Sequence, residues 1–323
     1  MTLRFADLRR EAGRSLAMAR YSPRRLVLIH TGVSLGISLL VSLLDLYFAK
    51  MIANTGGLGG IGTRSILQTV QSIVDLLAVV LLPFWNISLI RASLCWVRGE
   101  RAEFPTLLEG FRRFRSVLGV KFFTLALYIV LWIALCQVGT TLFMLTPYAD
   151  GLMEVTDSMM TESGFFDPEV MMSEEFMQQY ITAAKPLLIF LGAVFLVGAV
   201  IIWYRIRFAD FAMMDGNRSF RSMLHSFRIT RRSSFAMFKI DLRFWWFYLL
   251  QGLTVLVCYG DAILPALGVN LPMSEDVSYV VFYAVGILLQ LLLLWGFQAQ
   301  VSATYALAYD RLTAKAQTPE LQV

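Results

Sequence analysis

Five ionisable residues stand inside or at the ends of stretches that are otherwise nearly without charge, and chemistry would be sought there first. Asp45, Asp75 and Asp261 fall near one set of ends, Arg91 and Arg207 near the other. An ionised side chain at the centre of a bilayer costs about 2.5–3.5 kcal/mol or more unless it reaches water or a partner, so such residues mark pathways or anchors. As a pathway, three acids from three different hairpins would form a cation-attracting outer vestibule, with the two arginines as a basic inner rim. As anchors, the acids reach outer water and the arginines grip headgroup phosphates, while Asn86, Gln137 and Gln290 hydrogen-bond between helices. Both readings stay open on sequence alone.

Other reactive side chains are sparse. His30 and His225 are the only 2 histidines, one in an apolar stretch and one in a basic segment. No catalytic residue, metal site or cofactor is therefore expected. Met159-Met160 and Met171-Met172 are soft donors in an acidic loop, a pattern that suits Cu(I) or, more commonly, adaptable packing. Cys95, Cys136 and Cys258 lie in or beside apolar stretches without paired spacing, and read as small buried residues rather than disulfide partners or ligands.

The elements that must position these groups are membrane helices. Hydrophobic residues make up 57% of the 323 and charged residues 16%, against about half and a quarter in soluble domains. From Val277 to Tyr309 there are 33 residues without Asp, Glu, Lys or Arg. Crossing ~30 Å of hydrocarbon takes about 20 apolar helical residues. Six spans are predicted, at Leu26–Phe48, Ile73–Trp96, Gly119–Leu145, Pro186–Tyr204, Phe244–Leu264 and Tyr279–Val301. The expected fold is all-α, a polytopic membrane bundle of three hairpins forming one integral membrane domain over 1–323. It has a leader (1–25), a bundle (26–312) and a tail (313–323). The first span is preceded by a basic leader and lacks a prompt cleavage site, so it is expected to remain as an anchor.

Charge sets the orientation. Residues 1–25, 91–121, 205–243 and the tail hold 25 of the 28 lysines and arginines, leaving Lys50, Arg64 and Lys185 on the other connections. Thirteen of the 23 acidic residues lie on that opposite side or at its edge. Positive charge is enriched in cytoplasmic loops, so both termini are expected in the cytoplasm of a bacterial inner membrane. The same bias accounts for the net +5 without nucleic acid, and it implies attraction to anionic lipid headgroups.

The basic segments have helical periodicity and are expected to form amphipathic helices at the membrane interface. Leu8, Ala12, Leu16 and Ala19 share one face of the leader, and Leu107, Leu108, Phe111 and Phe114 one face of the next segment. Gly99 and Gly216 are placed to end helices. The two internal segments echo each other: Arg91 precedes Phe111-Arg112 as Arg207 precedes Phe227-Arg228. In the longest outer connection, Asp167-Pro168 reads as a helix start, with Met172, Phe176 and Tyr180 on one face. Gly32, Gly36, Gly192 and Gly198 signal close helix packing, and Pro83 a kink in the second span.

Ser226, Arg231-Arg232 and the run Phe238-Lys239-Ile240-Asp241-Leu242-Arg243-Phe244-Trp245-Trp246 carry a further likeness. With Leu108-Glu109-Gly110-Phe111 and Ala306-Leu307-Ala308-Tyr309, they resemble a bacterial integral-membrane family known as domain of unknown function 975. That family places a Ser and a basic run before Phe-x-Leu-x-Leu-Ser-Phe-x-Gly-Trp. Arg243 stands here where Ser is usual, Trp245 replaces a small hydrophobe, and Gly is missing before Trp246. The resemblance implies a multi-helix membrane protein and supplies no catalytic residues. The expected role is a non-enzymatic accessory or scaffold subunit working with a membrane-protein partner or a second copy. The alternatives are a small transporter or channel using the acidic vestibule, and a lipid-modifying membrane enzyme.

Overall fold

The computed structural model describes residues 4–54, 60–157, 173–231, 233–269 and 274–317. Among them there is no strand, and the fold is an all-α polytopic bundle. In chain order the helices are α1 (Phe5–Met18), α2 (Pro23–Asn54), α3 (Gly60–Arg98), a 3-10 turn (Phe104–Leu108), α4 (Glu109–Arg112), α5 (Phe114–Phe143), α6 (Tyr148–Asp157) and α7 (Glu174–Ile206). There follow α8 (Ala209–Met214), α9 (Ser219–Thr230), α10 (Ser234–Arg243), α11 (Trp245–Cys258), α12 (Gly260–Ala266) and α13 (Glu275–Gln317).

Five helices, α2, α3, α5, α7 and α13, are long and apolar enough to cross a membrane, and a sixth span exists if the bent pair α10–α11 counts as one. The apolar surface points outward: in the most apolar window of the α7 span only 6% of residues are buried. Lipid is the solvent in which such a surface is stable. The helices overrun the predicted spans. At ~1.5 Å per residue, the 39 residues of α3 reach about 58 Å.

The predicted fifth span is where the structure departs from expectation. Instead of one helix over 244–264, the chain breaks at Phe244 (φ −98°, ψ 9°) and again at Tyr259 (φ −102°, ψ 18°). The intervening α11 has 14 residues, about 21 Å, and meets α10 at 60°. Hydropathy reports composition along the chain and is blind to a change of axis at a single residue.

The chain forms two compact units, residues 1–120 with 208–323, and residues 121–207. In the larger unit α13 is central, packed by α1, α2, α3 and α11. Its core gathers Leu26, Val27, Trp85, Leu89, Trp96, Leu107 and Ala299, with Leu16 and Ala19 against them. Leu8 and Ala12, on the predicted apolar face of α1, are fully buried, and Glu11 pairs with Arg311 of α13. A reciprocal brace joins α2 to α3: Trp85 Nε1 donates to the His30 carbonyl at 2.9 Å, while His30 Nε2 lies 3.1 Å from the Trp85 carbonyl oxygen. Helix α4 folds back onto α3, where the Gly110 N–H donates to Ser88 Oγ at 2.9 Å. Gly99 (φ +71°) and Gly216 (φ +105°) adopt the left-handed conformation that ends helices, as their positions predict.

In the smaller unit, Phe143, Ala149, Leu152 and Ala184 form a core between α5, α6 and α7, and Trp132 meets Phe195 edge-on at 5.2 Å. Ser173 caps α7, accepting from the Phe176 N–H. Phe176 and Tyr180 stack as their shared face predicts, while Met159, Met160, Asp167, Pro168, Met171 and Met172 lie outside the described residues. The packing glycines are mostly others than those expected. A Cβ at Gly32, Gly36 or Gly192 would meet nothing within 4 Å; at Gly198 it would lie 3.1 Å from Leu131, the close approach expected, and Gly110 and Gly286 are pressed against the neighbouring helix. The small-residue pattern marks where close approach is sterically permitted, and a partner arrives at only some of those positions. Pro83 lies inside a continuous α3.

Candidate functional site: a polar cavity on the central helix

Helices α3 and α11 both pack on α13 and flank a partly open cavity of about 250 Å³. Its lining pairs apolar Leu89, Ile90, Phe211, Phe247 and Val301 with polar Asn86, Ser93, Tyr248, Gln251, Gln298, Ser302 and Tyr305. Among the described residues no Asp, Glu, Lys, Arg or His lines it. The register explains the convergence. Gln298, Ser302 and Tyr305 fall at i, i+4 and i+7 on one face of α13, Tyr248 and Gln251 at i and i+3 on α11, and Asn86 and Ser93 at i and i+7 on α3. Asn86 and Gln298 lie twelve residues before Arg98 and Asp310 respectively, so each is about 18 Å along its helix from the end that those charges mark.

The hydrogen bonding is directional. Tyr305 donates to Asp241 of α10, which leaves the Tyr305 oxygen to accept from the Tyr248 hydroxyl at 2.8 Å. Gln298 Nε2 donates to Ser302 Oγ at 3.3 Å. Asn86 Oδ1 accepts from Ser34 at 3.5 Å. Among the described residues, the Gln251 amide and the Asn86 Nδ2 make no hydrogen bond. Asn86 is exposed and Gln251 half-buried, so both amides are open to a ligand or solvent entering the cleft.

Below the cavity an ion-pair clasp closes the same end of the unit. Arg98 grips Asp310 through two bonds, Nε–Oδ2 at 3.2 Å and Nη2–Oδ1 at 2.6 Å, and reaches Asp215 with Nη1. The fully buried Tyr309 donates to Asp215 Oδ2 at 3.2 Å and receives the edge of His225 at 6.2 Å. Burial lowers the His225 pKa from its ordinary 6.5; the charge of Arg228 adds to the shift and that of Asp215 opposes it. Arg113 donates to the Met213 carbonyl at 2.9 Å, tying α8 to the segment after α4.

The five ionisable residues singled out by position are distributed as follows. Asp45, on α2, accepts from Gln71 Nε2 of α3 at 3.1 Å, an interhelical bond. Asp75 lies on α3 and Asp261 in the first turn of α12, both half-buried. Among the described residues no hydrogen bond or ion pair joins the three acids to one another. Arg91 pairs with Glu100 at 3.1 Å. Arg207, at the end of α7, lies over the Trp203 ring at 4.5 Å. His30 is absorbed by the Trp85 brace. Of the deep polar groups expected, Asn86 alone lines the cavity. Tyr248, Gln251, Gln298, Ser302 and Tyr305 escape a search for charge because none is charged. Their signal is helical spacing of uncharged polar residues inside apolar spans.

Among the described residues no three His, Cys, Asp or Glu side chains come together as a metal site. No protein-family model, curated protein or solved structure matches the chain.

Proposed function

We propose that this is a multi-pass protein of a bacterial cytoplasmic membrane, with both termini cytoplasmic, that acts by binding as a non-enzymatic accessory subunit. The cavity on α13 carries this reading. Its lining holds a ligand by hydrogen bonds and apolar contact, and the nearby carboxylate of Asp241 is engaged by Tyr305. Amides and phenols held this way orient a bound group; activating a nucleophile calls for a titratable base beside it. The bias of 25 of 28 basic residues to one set of connections supports the orientation. The basic segments then face anionic headgroups, and the outward apolar faces of α5 and α7 suit lipid, a membrane-protein partner or a second copy. Nucleic acid has no part in this reading. The likeness to domain of unknown function 975 agrees with a multi-helix membrane protein of this kind.

Extraction in mild detergent, affinity capture and identification of everything retained tests the role. A stoichiometric protein or lipid is the expected result, and recovery of bare protein refutes it. Reporter fusions at both ends test the orientation, which fails if the two ends report opposite faces.

A further inference from the structure

We propose that the α13 cavity is a binding site for an uncharged, hydroxyl-bearing group, such as a glycerol or single-sugar headgroup. This inference rests on the binding reading above and names the ligand class for the same site. Three observations carry it.

The first is the mixture of hydrogen-bonding groups. Gln251 and Gln298 each present a carbonyl oxygen and an amide N–H pair, Asn86 adds N–H donors, and Ser302 and Tyr248 add hydroxyls. A phosphate or carboxylate offers only acceptors and would set its oxygens against these carbonyls. An ammonium offers only donors and would meet the amide N–H groups. A hydroxyl both donates and accepts, so neighbouring hydroxyls on a glycerol or a sugar ring can satisfy such a set together.

The second is that none of the described residues lining the cavity carries a formal charge. A charged ligand at this depth would be stripped of water with no counter-charge to meet it. The Tyr305 proton goes to Asp241, a carboxylate that is not among the lining residues.

The third is size and position. About 250 Å³ is room for about eight waters at ~30 Å³ each, enough for one sugar ring or a glycerol. The apolar Leu89, Phe247 and Val301 beside the polar groups supply a wall for the ring's C–H face or for the start of an acyl chain.

The test is native mass spectrometry of the full chain in a polyoxyethylene detergent, which carries no sugar head. The probes are monoglucosyl dioleoylglycerol, dioleoyl phosphatidic acid with the same chains, and free glucose. The glucosyl lipid is expected to bind at least tenfold more tightly than phosphatidic acid. Gln251→Leu and Gln298→Leu should each weaken it about three- to tenfold, one neutral hydrogen bond apiece, and leave phosphatidic acid unchanged. Displacement by millimolar glucose assigns the site to a soluble polyol, and no displacement assigns it to the lipid; both uphold the hydroxyl chemistry. Equal binding of the two lipids by the wild type, which requires no variant to fold, overturns the proposal, as does wild-type affinity in well-folded Leu variants. Retention of a protein or lipid with no headgroup preference defeats this inference alone, whereas retention of nothing defeats the binding reading beneath it.

Discussion

Gly110→Ala adds one methyl group at the point where α4 lies on α3, and the consequence follows from the local geometry. The new Cβ would overlap the Phe84 carbonyl oxygen, lie 2.7 Å from Ser88 Oγ and 2.9 Å from the Phe84 carbonyl carbon. Two of these three atoms are helix backbone and cannot rotate aside. Overpacking of this kind costs about 1–3 kcal/mol. To relieve it α4 must lift, which breaks the bond from the Gly110 N–H to Ser88 Oγ and strands a buried donor, for about 1–3 kcal/mol more. The expected loss is about 3–5 kcal/mol. Ser88→Ala removes the acceptor without the clash and should cost about 1 kcal/mol. Reversible unfolding in mixed micelles titrated with sodium dodecyl sulfate measures both. Gly110→Ala within about 0.5 kcal/mol of wild type, the range of an ordinary surface change, would refute the close approach. Equal losses for the two variants would show that the hydrogen bond, not the methyl clash, decides the outcome.

Arg98→Met should destabilise the larger unit by about 2–4 kcal/mol in the same assay, because it leaves Asp215 and Asp310 facing each other without their shared cation. Adding Asp310→Asn to that variant should recover part of the loss, and failure to do so would argue against charge repulsion as its cause. For His225 the folded-state pKa lies below 6.5, so the unfolded chain takes up the proton first. Stability is then complete above pH 6.5 and falls as the pH drops from there through the folded-state value. His225→Gln should flatten that part of the pH profile, and an unchanged profile would sink the assignment. Under the binding reading, Asp45→Asn, Asp75→Asn and Asp261→Asn together should leave retention of the native ligand intact. Cation flux through wild-type protein in liposomes that this triple variant abolishes would instead establish the vestibule.

Much of the fold is legible in the residues because lipid imposes few choices. Uncharged runs such as Val277–Tyr309 mark α13, and the spacing of Leu8, Ala12, Leu16 and Ala19 names the face that α1 buries. What hydropathy could not report is axial continuity, so the break at Phe244 was invisible, since Phe, Trp and Leu on either side read as one apolar stretch. The candidate site was legible only through Asn86. Ionisable residues are the loudest signal in a membrane sequence, yet Asp45 and Arg91 form local bonds with Gln71 and Glu100. The cavity is made of amides and hydroxyls that become conspicuous only when three helices bring them together. Gln251 and Gln298 are 47 positions apart, and no one-dimensional pattern joins them.

The docking of α1 on α13 bears on how the chain is made. Glu11 and its partner Arg311 are separated by 300 positions. At about 5–20 residues per second of synthesis, the leader waits roughly 15–60 s before its landing place leaves the ribosome. Through that interval α1 can reach only its contacts on α3 and α10, and the larger share of its seat, on α13, arrives last. The docking of α1 on α13 is thus completed late in synthesis, and a chain truncated before Arg311 would lose the Glu11–Arg311 pair that fastens the first helix to the last.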